Sequence, residues 1–327
     1  MAAEDRPVIL ALLSKDLYAR LFTEDADAGL RALGQVVFPG ETLRRDARVV
    51  VTGWGSRRLD AALLDCVPCL ELVAHVGGTV REVVTNDVFA RGIKVVNAGH
   101  AMVNAVAEFT LLRMLAFLRR DAMSAPMPGP SQWESARRSM MGQEMGSQRV
   151  GVVGAGQIGR RVIGLLRGTG ADLLVYDPCL DAGAGRQLGA RPVSLAELMA
   201  RCRIVSLHAP VLPETVGMIG AAELAALPDG ALLINTARAR LVDAAALLSE
   251  LRAGRISAAL DVFDDEPLPD DSPLRRLPNV QLTPHVAFLT TECFARFGRS
   301  IVDDVGRFLR GMPVLHEVTR EMLETMA

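Results

Sequence analysis

The sequence predicts an α/β protein of two domains, each built on a doubly wound parallel sheet, and three observations predict it. Its 327 residues exceed one ordinary domain and suit two. Short apolar runs alternate with helical patterns from end to end, as in strands buried on both faces by crossover helices. A breaker-rich stretch, Ser124-Ala-Pro-Met-Pro-Gly-Pro130, divides the alternation into two series.

The first series places strands at 8–13, 36–38, 49–51, 72–76 and 94–97. A long amphipathic helix over 103–120 follows and must stop at the prolines of 124–130. The second series, 149–153, 173–176, 204–207, 232–235, 258–262 and 280–283, gives six strands with helices between them, the count of a full dinucleotide-binding sheet. A last helical pattern, 290–310, lies beyond the sixth strand and is placed back on the first domain. The expected boundaries are therefore 1–102, 103–287 and 288–327, with two crossings of the chain, near Val103 and near Ala287, and a cleft between the domains. There is no solenoid-length repeat and no segment with the composition of disorder.

Composition narrows the function. A formal charge of −2 supplies no positive field for nucleic acid or an anionic membrane surface, so neither partner is expected. Cys66, Cys69, Cys179, Cys202 and Cys293 are odd in number and scattered through a chain that is 50% hydrophobic, unlike a secreted disulfide framework. A reducing cytoplasm is the expected location. Cys66-Val-Pro-Cys69 has no second pair to complete a metal site and reads as packing, and no metal is expected. The apolar run 8–13 is too short for a signal core or a membrane span, and Glu4 and Asp5 precede it where basic residues would stand.

Val150-Gly-Val-Val-Gly154-Ala-Gly156-Gln157-Ile158-Gly159 is a G-x-G-x-x-G set between an apolar strand and a helical pattern. Gly154 makes the tight turn, Gly156 lets the backbone approach a pyrophosphate, and Gly159 allows close helix packing, with the helix N-terminus favouring the anion. Asp177 closes the next strand, where a carboxylate accepts both hydroxyls of an adenosine ribose and repels a 2′-phosphate. That context favours NAD over NADP, and over a plain glycine turn beside a capping aspartate.

Arg238, Glu266 and His285 lie just past the ends of later strands, where ligands bind in open α/β sheets. Each alone reads as an ordinary surface or structural residue. Together with the fingerprint they resemble the D-isomer specific 2-hydroxyacid dehydrogenase family, through GVVGAGQIG, LHAPVLPETVGMI, INTARARLVD, ALDVFDDEP and LTPHVA in family order, and less tightly through LVAHVGGTV, RGIKVVNAG and AVAEFTLLRML. The resemblance implies a Rossmann NAD-binding domain inserted in a flavodoxin-like substrate domain. It also implies hydride transfer between NAD and C2 of a 2-oxo or 2-hydroxy acid. It carries roles over to Arg238 as carboxylate and carbonyl clamp, His285 as acid/base, Glu266 as its partner and Asp261 as acceptor for the nicotinamide amide. Further cofactor contacts are implied at His208, Pro210, Thr215, Thr236 and Ala237, and a seat for the substrate carboxylate on the backbone N–H groups of Gly77, Gly78 and Thr79.

The residue types suit that chemistry. Hydride delivered to C2 leaves negative charge on oxygen, which a protonated imidazole neutralises by donating a proton. A carboxylate beside the ring orients it, and a guanidinium offers a planar fork to the substrate carboxylate. Some positions depart from the family pattern: Thr79 and Arg81 replace a glycine and an acid of the turn, Ala239 replaces a glycine, and Met102 and Val103 stand where relatives carry small polar residues. Trp54 and Met102 are expected to line the pocket and favour an apolar C3 group; packing is the alternative for Trp54, and His100 or Arg81 is an alternative source of positive charge. Within the superfamily, formate dehydrogenases generally carry glutamine where Pro284 stands, and phosphite dehydrogenases share much of the framework. A dinucleotide-sensing co-repressor on the same scaffold is the alternative from outside enzymology. Relatives are commonly dimers, and the apolar helix 105–118 suits an interface, so a homodimer is expected.

Overall fold

A computed structural model describes residues 6–40, 43–120 and 129–326, and most of the expected breaker stretch, 124–128, lies outside them. The chain divides into two compact units, Met1–Met102 with Leu289–Ala327, and Val103–Phe288.

The first unit holds five parallel strands: β1 Val8–Ala11, β2 Gln35–Val37, β3 Ala47–Thr52, β4 Leu72–His75 and β5 Lys94–Asn97. Their order, β2-β1-β3-β4-β5, is the flavodoxin-like winding, with its switch point at β1 and β3. All side chains of β1 and β4 are buried, which explains why both read as apolar runs, broken only at His75. One face is covered by Leu63, Leu64, Val84 and Val88. The amphipathic helix Thr291–Leu309 buries Phe294, Phe297, Ile301 and Val305 and packs on β4 and on the helices Lys15–Leu21 and Glu24–Leu33. Thr290 caps it, its Oγ1 accepting from Cys293 N at 3.1 Å. Beyond the helix, Val318 N donates to Val95 O and Asn97 N to His316 O, so the end of the chain lies along β5.

Cys66 and Cys69, expected to pack, are exposed. The buried positions there are Leu63, Leu64, Val67 and Leu70, and that spacing turns both thiols to solvent.

The second unit holds β6 Arg149–Val153, β7 Asp172–Tyr176, β8 Arg191–Pro192, β9 Ile204–Leu207, β10 Leu232–Asn235, β11 Ser257–Leu260 and β12 Val280–Leu282. All pair in parallel in the order β12-β11-β10-β9-β6-β7-β8, a Rossmann winding whose switch point lies between β6 and β9. The sheet has seven strands where the sequence predicts six. The extra one, β8, is a two-residue edge pairing beside Leu174 and Val175, too short for an apolar run and containing a proline that only an edge tolerates.

Helix Val103–Arg119 sets Ala107, Met114 and Leu118 in one core with Ile163 and Leu166 of helix Gln157–Leu166 and with Leu232 and Ile234 of β10. The stretch Gly99–Arg119 is long and apolar enough to cross a membrane by length and composition. Among its buried positions, Ala107, Thr110, Met114 and Leu118 recur at the spacing of a helix packed on a core, while Leu112 and Leu115 are exposed on another face.

Candidate active site

Past the end of β6 the chain turns through Gly154 at φ +94°, where a Cβ would stand 2.6 Å from Ala209 N, so only glycine fits. A Cβ on Gly159 would collide with the Gly154 carbonyl oxygen. Over Gly156 nothing lies within 4 Å, which leaves the backbone open to a phosphate. Helix Gln157–Leu166 begins there without a side-chain cap, so the N–H groups of Gln157, Ile158 and Gly159 have no intrahelical acceptor and form the positive end of the helix dipole. Asp177 fastens the turn: Oδ2 accepts from Ala155 N at 2.6 Å and Oδ1 from Cys179 N at 2.8 Å. An ionised carboxylate has about four acceptor positions, so capacity for two ribose hydroxyls remains. An open cradle, an uncapped helix and a carboxylate at the neighbouring strand end fit a dinucleotide.

On the other side of the switch point, His208 Nε2 lies 2.8 Å from Ser206 Oγ, and desolvation pushes its pKa down to about 4, so the ring is neutral. Thr215 Oγ1 donates to Pro210 O at 2.7 Å and accepts from Leu212 N at 2.7 Å, closing the 210–215 loop on itself. Thr236 is buried, its hydroxyl 3.4 Å from that of Thr110.

Arg238 follows β10, half-buried, with Nη1 donating to Ala237 O at 2.6 Å. Asn235, the last residue of β10 and 2% exposed, shapes this turn from both ends: Oδ1 accepts from Ala237 N at 3.0 Å and Nδ2 donates to Arg238 O at 2.8 Å. The spacing is visible in Asn235-Thr-Ala-Arg238, but nothing in the residue type marks the asparagine as the brace of the turn.

Glu266 and His285 meet. His285 Nδ1 stands 2.8 Å from Glu266 Oε2, and Glu266 Oε1 accepts from Phe263 N at 3.0 Å, so one carboxylate fixes both the imidazole and its own loop. Because the carboxylate accepts from Nδ1–H, Nε2 is the ring atom left to exchange a proton with a ligand. Both side chains are more than one third exposed and border a cavity of about 510 Å³ lined also by Phe263, Pro267, Leu282 and Pro284.

Asp261 is 1% exposed, and its carboxylate is engaged with the segment that carries His285. Oδ1 accepts from Thr283 Oγ1 at 2.6 Å and from Val286 N at 2.9 Å, and Oδ2 from Ala287 N at 2.9 Å. Thr283 and these two amides carry no signal of that role in the sequence.

In the first unit, Gly77 takes φ +136° in the turn after β4, and Asn97 Nδ2 donates to Gly78 O at 2.6 Å. The N–H groups of Gly77, Gly78 and Thr79 make no hydrogen bond among the described residues. Below them His75, 3% exposed, has Nδ1 3.0 Å from Thr52 Oγ1, and burial pushes its pKa down to about 4. Met102 lies against Gly78, whose missing Cβ would be 3.3 Å from its methyl. Trp54 is 39% exposed and sets its ring edge-on to Phe297, with centroids 5.6 Å apart. Arg81 Nη1 donates to Met326 O at 3.0 Å; His100 stacks on His316 at 3.7 Å, its buried Nδ1 makes no hydrogen bond among the described residues, and burial with the neighbouring His316 pushes its pKa down.

Residues 111–287 match the family described as D-isomer specific 2-hydroxyacid dehydrogenase, NAD binding domain. A glyoxylate reductase of Korarchaeum cryptofilum is 32% identical over 269 residues, covering 81% of each chain. A D-3-phosphoglycerate dehydrogenase of Archaeoglobus fulgidus is 32% identical over 268 residues, 82% of this chain and 50% of that one. The chain thus spans about half the length of the curated D-3-phosphoglycerate dehydrogenases it matches. The apo D-mandelate dehydrogenase of Rhodotorula graminis shares the fold, with a TM-score of 0.81 at 24% identity, over 96% of this chain and 98% of that one.

Proposed function

Since this chain belongs to the D-isomer specific 2-hydroxyacid dehydrogenase family, whose cofactor is NAD, we propose that it moves a hydride between NAD(H) and C2 of a D-2-hydroxy or 2-oxo acid, with His285 as acid/base. The observation that carries the reading is the 2.8 Å pair of His285 Nδ1 and Glu266 Oε2, which leaves Nε2 to face a reacting oxygen. NAD, when bound, supplies or accepts the hydride. The protein's own groups do the rest.

In the reducing direction, the protonated imidazole donates its Nε2 proton to the carbonyl oxygen as charge develops there, and the neutral ring takes the proton back in oxidation. Glu266 keeps Nδ1 protonated throughout, so the ring has one working tautomer. The Arg238 guanidinium receives the substrate carboxylate, and its charge beside the carbonyl stabilises the developing alkoxide. Gly154, Gly156, Gln157, Ile158 and Gly159 hold the pyrophosphate and Asp177 the adenosine ribose. Unit Val103–Phe288 acts as the dinucleotide domain and the other unit as the substrate domain, where the N–H groups of Gly77, Gly78 and Thr79, without a hydrogen bond among the described residues, suit a carboxylate. The bulk of Trp54 and Met102 favours a substrate with an apolar C3 group.

We place the protein in the cytoplasm, in keeping with cysteines that are all free, and as a homodimer, because Leu112 and Leu115 are exposed on helix Val103–Arg119 and Trp133, Met140 and Met141 are exposed shortly after it. The test of function is NADH oxidation across 2-oxo acids that differ in side-chain size and charge. Turnover that falls by about 10²–10⁴ in His285→Gln while NADH still binds is the expected result. Binding of NADH without turnover of any 2-oxo acid would instead mark a dinucleotide sensor.

A further inference from the structure

We propose that Asp261 is a positioning residue for His285: its carboxylate grips the backbone on both sides of the histidine and so delivers the ring to Glu266. The proposal rests on the reading of His285 as the acid/base, and its structural half stands without it.

His285 has φ +53°, in the left-handed region that a residue with a Cβ rarely adopts. Among the described residues the other non-glycine in that region is Arg120, which directly follows a helix end, where such a conformation is common. His285 ends no helix, so something else must impose the turn. The carboxylate of Asp261 supplies it. Thr283 Oγ1, two residues before the histidine, and Val286 N and Ala287 N, immediately after it, all converge on Asp261 at 2.6–2.9 Å. Two successive amides can point at one carboxylate only if the chain bends around it, and the bend falls at His285. His285 N donates to Thr283 O at 3.0 Å within the same bend. The two backbone amides, one on each carboxylate oxygen, require acceptors, whereas the Thr283 hydroxyl can also accept. An amide in place of the acid would keep one acceptor and turn its NH₂ toward one of the two backbone N–H groups. Burial of Asp261 to 1% exposure keeps water from substituting for it.

Glu266 therefore holds the imidazole and Asp261 holds the backbone, from two different loop positions on the same strand end. The first measurement is amide exchange of Val286 and Ala287 by NMR in the apoprotein. Asp261→Ala should speed both by about tenfold or more while the amides of β10 and β11 are unchanged. Equal protection in the variant would overturn the proposal, whatever the protein's reaction is.

The second is a kinetic cycle. Asp261→Ala should lower kcat by about 10²-fold, the order expected when a reacting group is misplaced by about 1 Å. The same change in the His285→Gln background should cost nothing further, because there is no longer a proton donor to position. Independent, multiplying losses would place the effect of Asp261 outside His285, as an acceptor for the nicotinamide amide would, and would overturn the positioning role. Should Asp261→Ala fail to fold, Thr283→Val removes one of the three bonds and is read by the same two measurements. Faster exchange at Val286 and Ala287, with a kcat loss that vanishes in the His285→Gln background, supports the proposal; unchanged exchange or multiplying losses overturn it.

Discussion

Glu266→Gln isolates the orienting carboxylate, because the amide is isosteric and uncharged. In the native loop one oxygen accepts from Phe263 N at 3.0 Å and the other from His285 Nδ1 at 2.8 Å. Glutamine has a single acceptor oxygen, so it can serve the Phe263 amide or the imidazole, and its NH₂ must face a donor at the remaining position. A hydrogen bond to a charged group contributes about 1.5–3 kcal/mol. Both partners are more than one third exposed, so solvent screening reduces this to about 1–2 kcal/mol. If that energy is felt in the proton-transfer step, kcat for reduction should fall about 5- to 30-fold, since about 1.36 kcal/mol corresponds to a decade in rate. The assay is single-turnover oxidation of bound NADH by saturating 2-oxo acid, with NADH affinity measured separately by nicotinamide fluorescence. NADH affinity should be unchanged, because neither bond touches the cradle at Gly154 and Asp177. A rate within twofold of wild type would mean that the pair does not work as a unit. A loss confined to NADH binding would place Glu266 in the cofactor site instead.

Asp177→Ala should narrow the preference for NADH over NADPH, measured as the ratio of kcat/KM, and equal ratios before and after would remove Asp177 from the ribose site; because Ala155 N and Cys179 N lose their acceptor, Tm should also fall. His75 is buried neutral with a pKa of about 4 against 6.5 when exposed, so the unfolded chain binds more protons between these values; its contribution of roughly 3 kcal/mol is intact above pH 6.5 and lost as pH falls toward 4. Urea melts across that window should show a shallower loss in His75→Gln, and an identical slope would count against it. Trp54→Ala should lower kcat/KM for phenylpyruvate relative to phosphohydroxypyruvate, and an unchanged ranking would leave the indole as packing against Phe297 and Phe294.

What the sequence made legible and what it hid have one physical cause. Strands buried on both faces are predominantly apolar, so β1, β4, β6 and β9 stand out as runs despite His75 and Ser206, whereas β8 has only an edge pairing and a proline and leaves no pattern. Gly154, Gly156 and Gly159 are readable because their constraint is local. The pairing of Glu266 with His285 spans 19 residues and could be expected only through resemblance; the bonds from Asp261 to Val286 and Ala287 span 25 and 26 and involve backbone atoms, which leave no trace in residue type. Arg81 looks available for a ligand in the sequence because its partner, Met326 O, is 245 residues away. The exposure of Cys66 and Cys69 is readable in principle, from the spacing of Leu63, Val67 and Leu70 around them, but a cysteine's usual preference for burial points the other way.

The polar residues that are hardest to interpret from sequence share a position: Asn97, Asp177, Asn235 and Asp261 each stand at, or one residue past, the carboxyl end of a parallel strand. There the sheet no longer supplies partners for the backbone, and the loops that carry function must satisfy their N–H and C=O groups by other means. Each of these side chains does so by bonding into its own or a neighbouring loop: Asn97 to Gly78, Asp177 to Ala155, Asn235 to Ala237 and Arg238, Asp261 to the His285 segment. Two of them are directly linked. Asp261 N donates to Asn235 O at 3.0 Å, continuing the ladder between β10 and β11 by one step. The turn that presents Arg238 and the bend that presents His285 are thus suspended from adjacent residues of adjacent strands. The stiffness of the sheet then helps to set the spacing of Arg238 and His285, the proposed clamp and acid/base, and a change that shifts the end of β10 should displace both groups together.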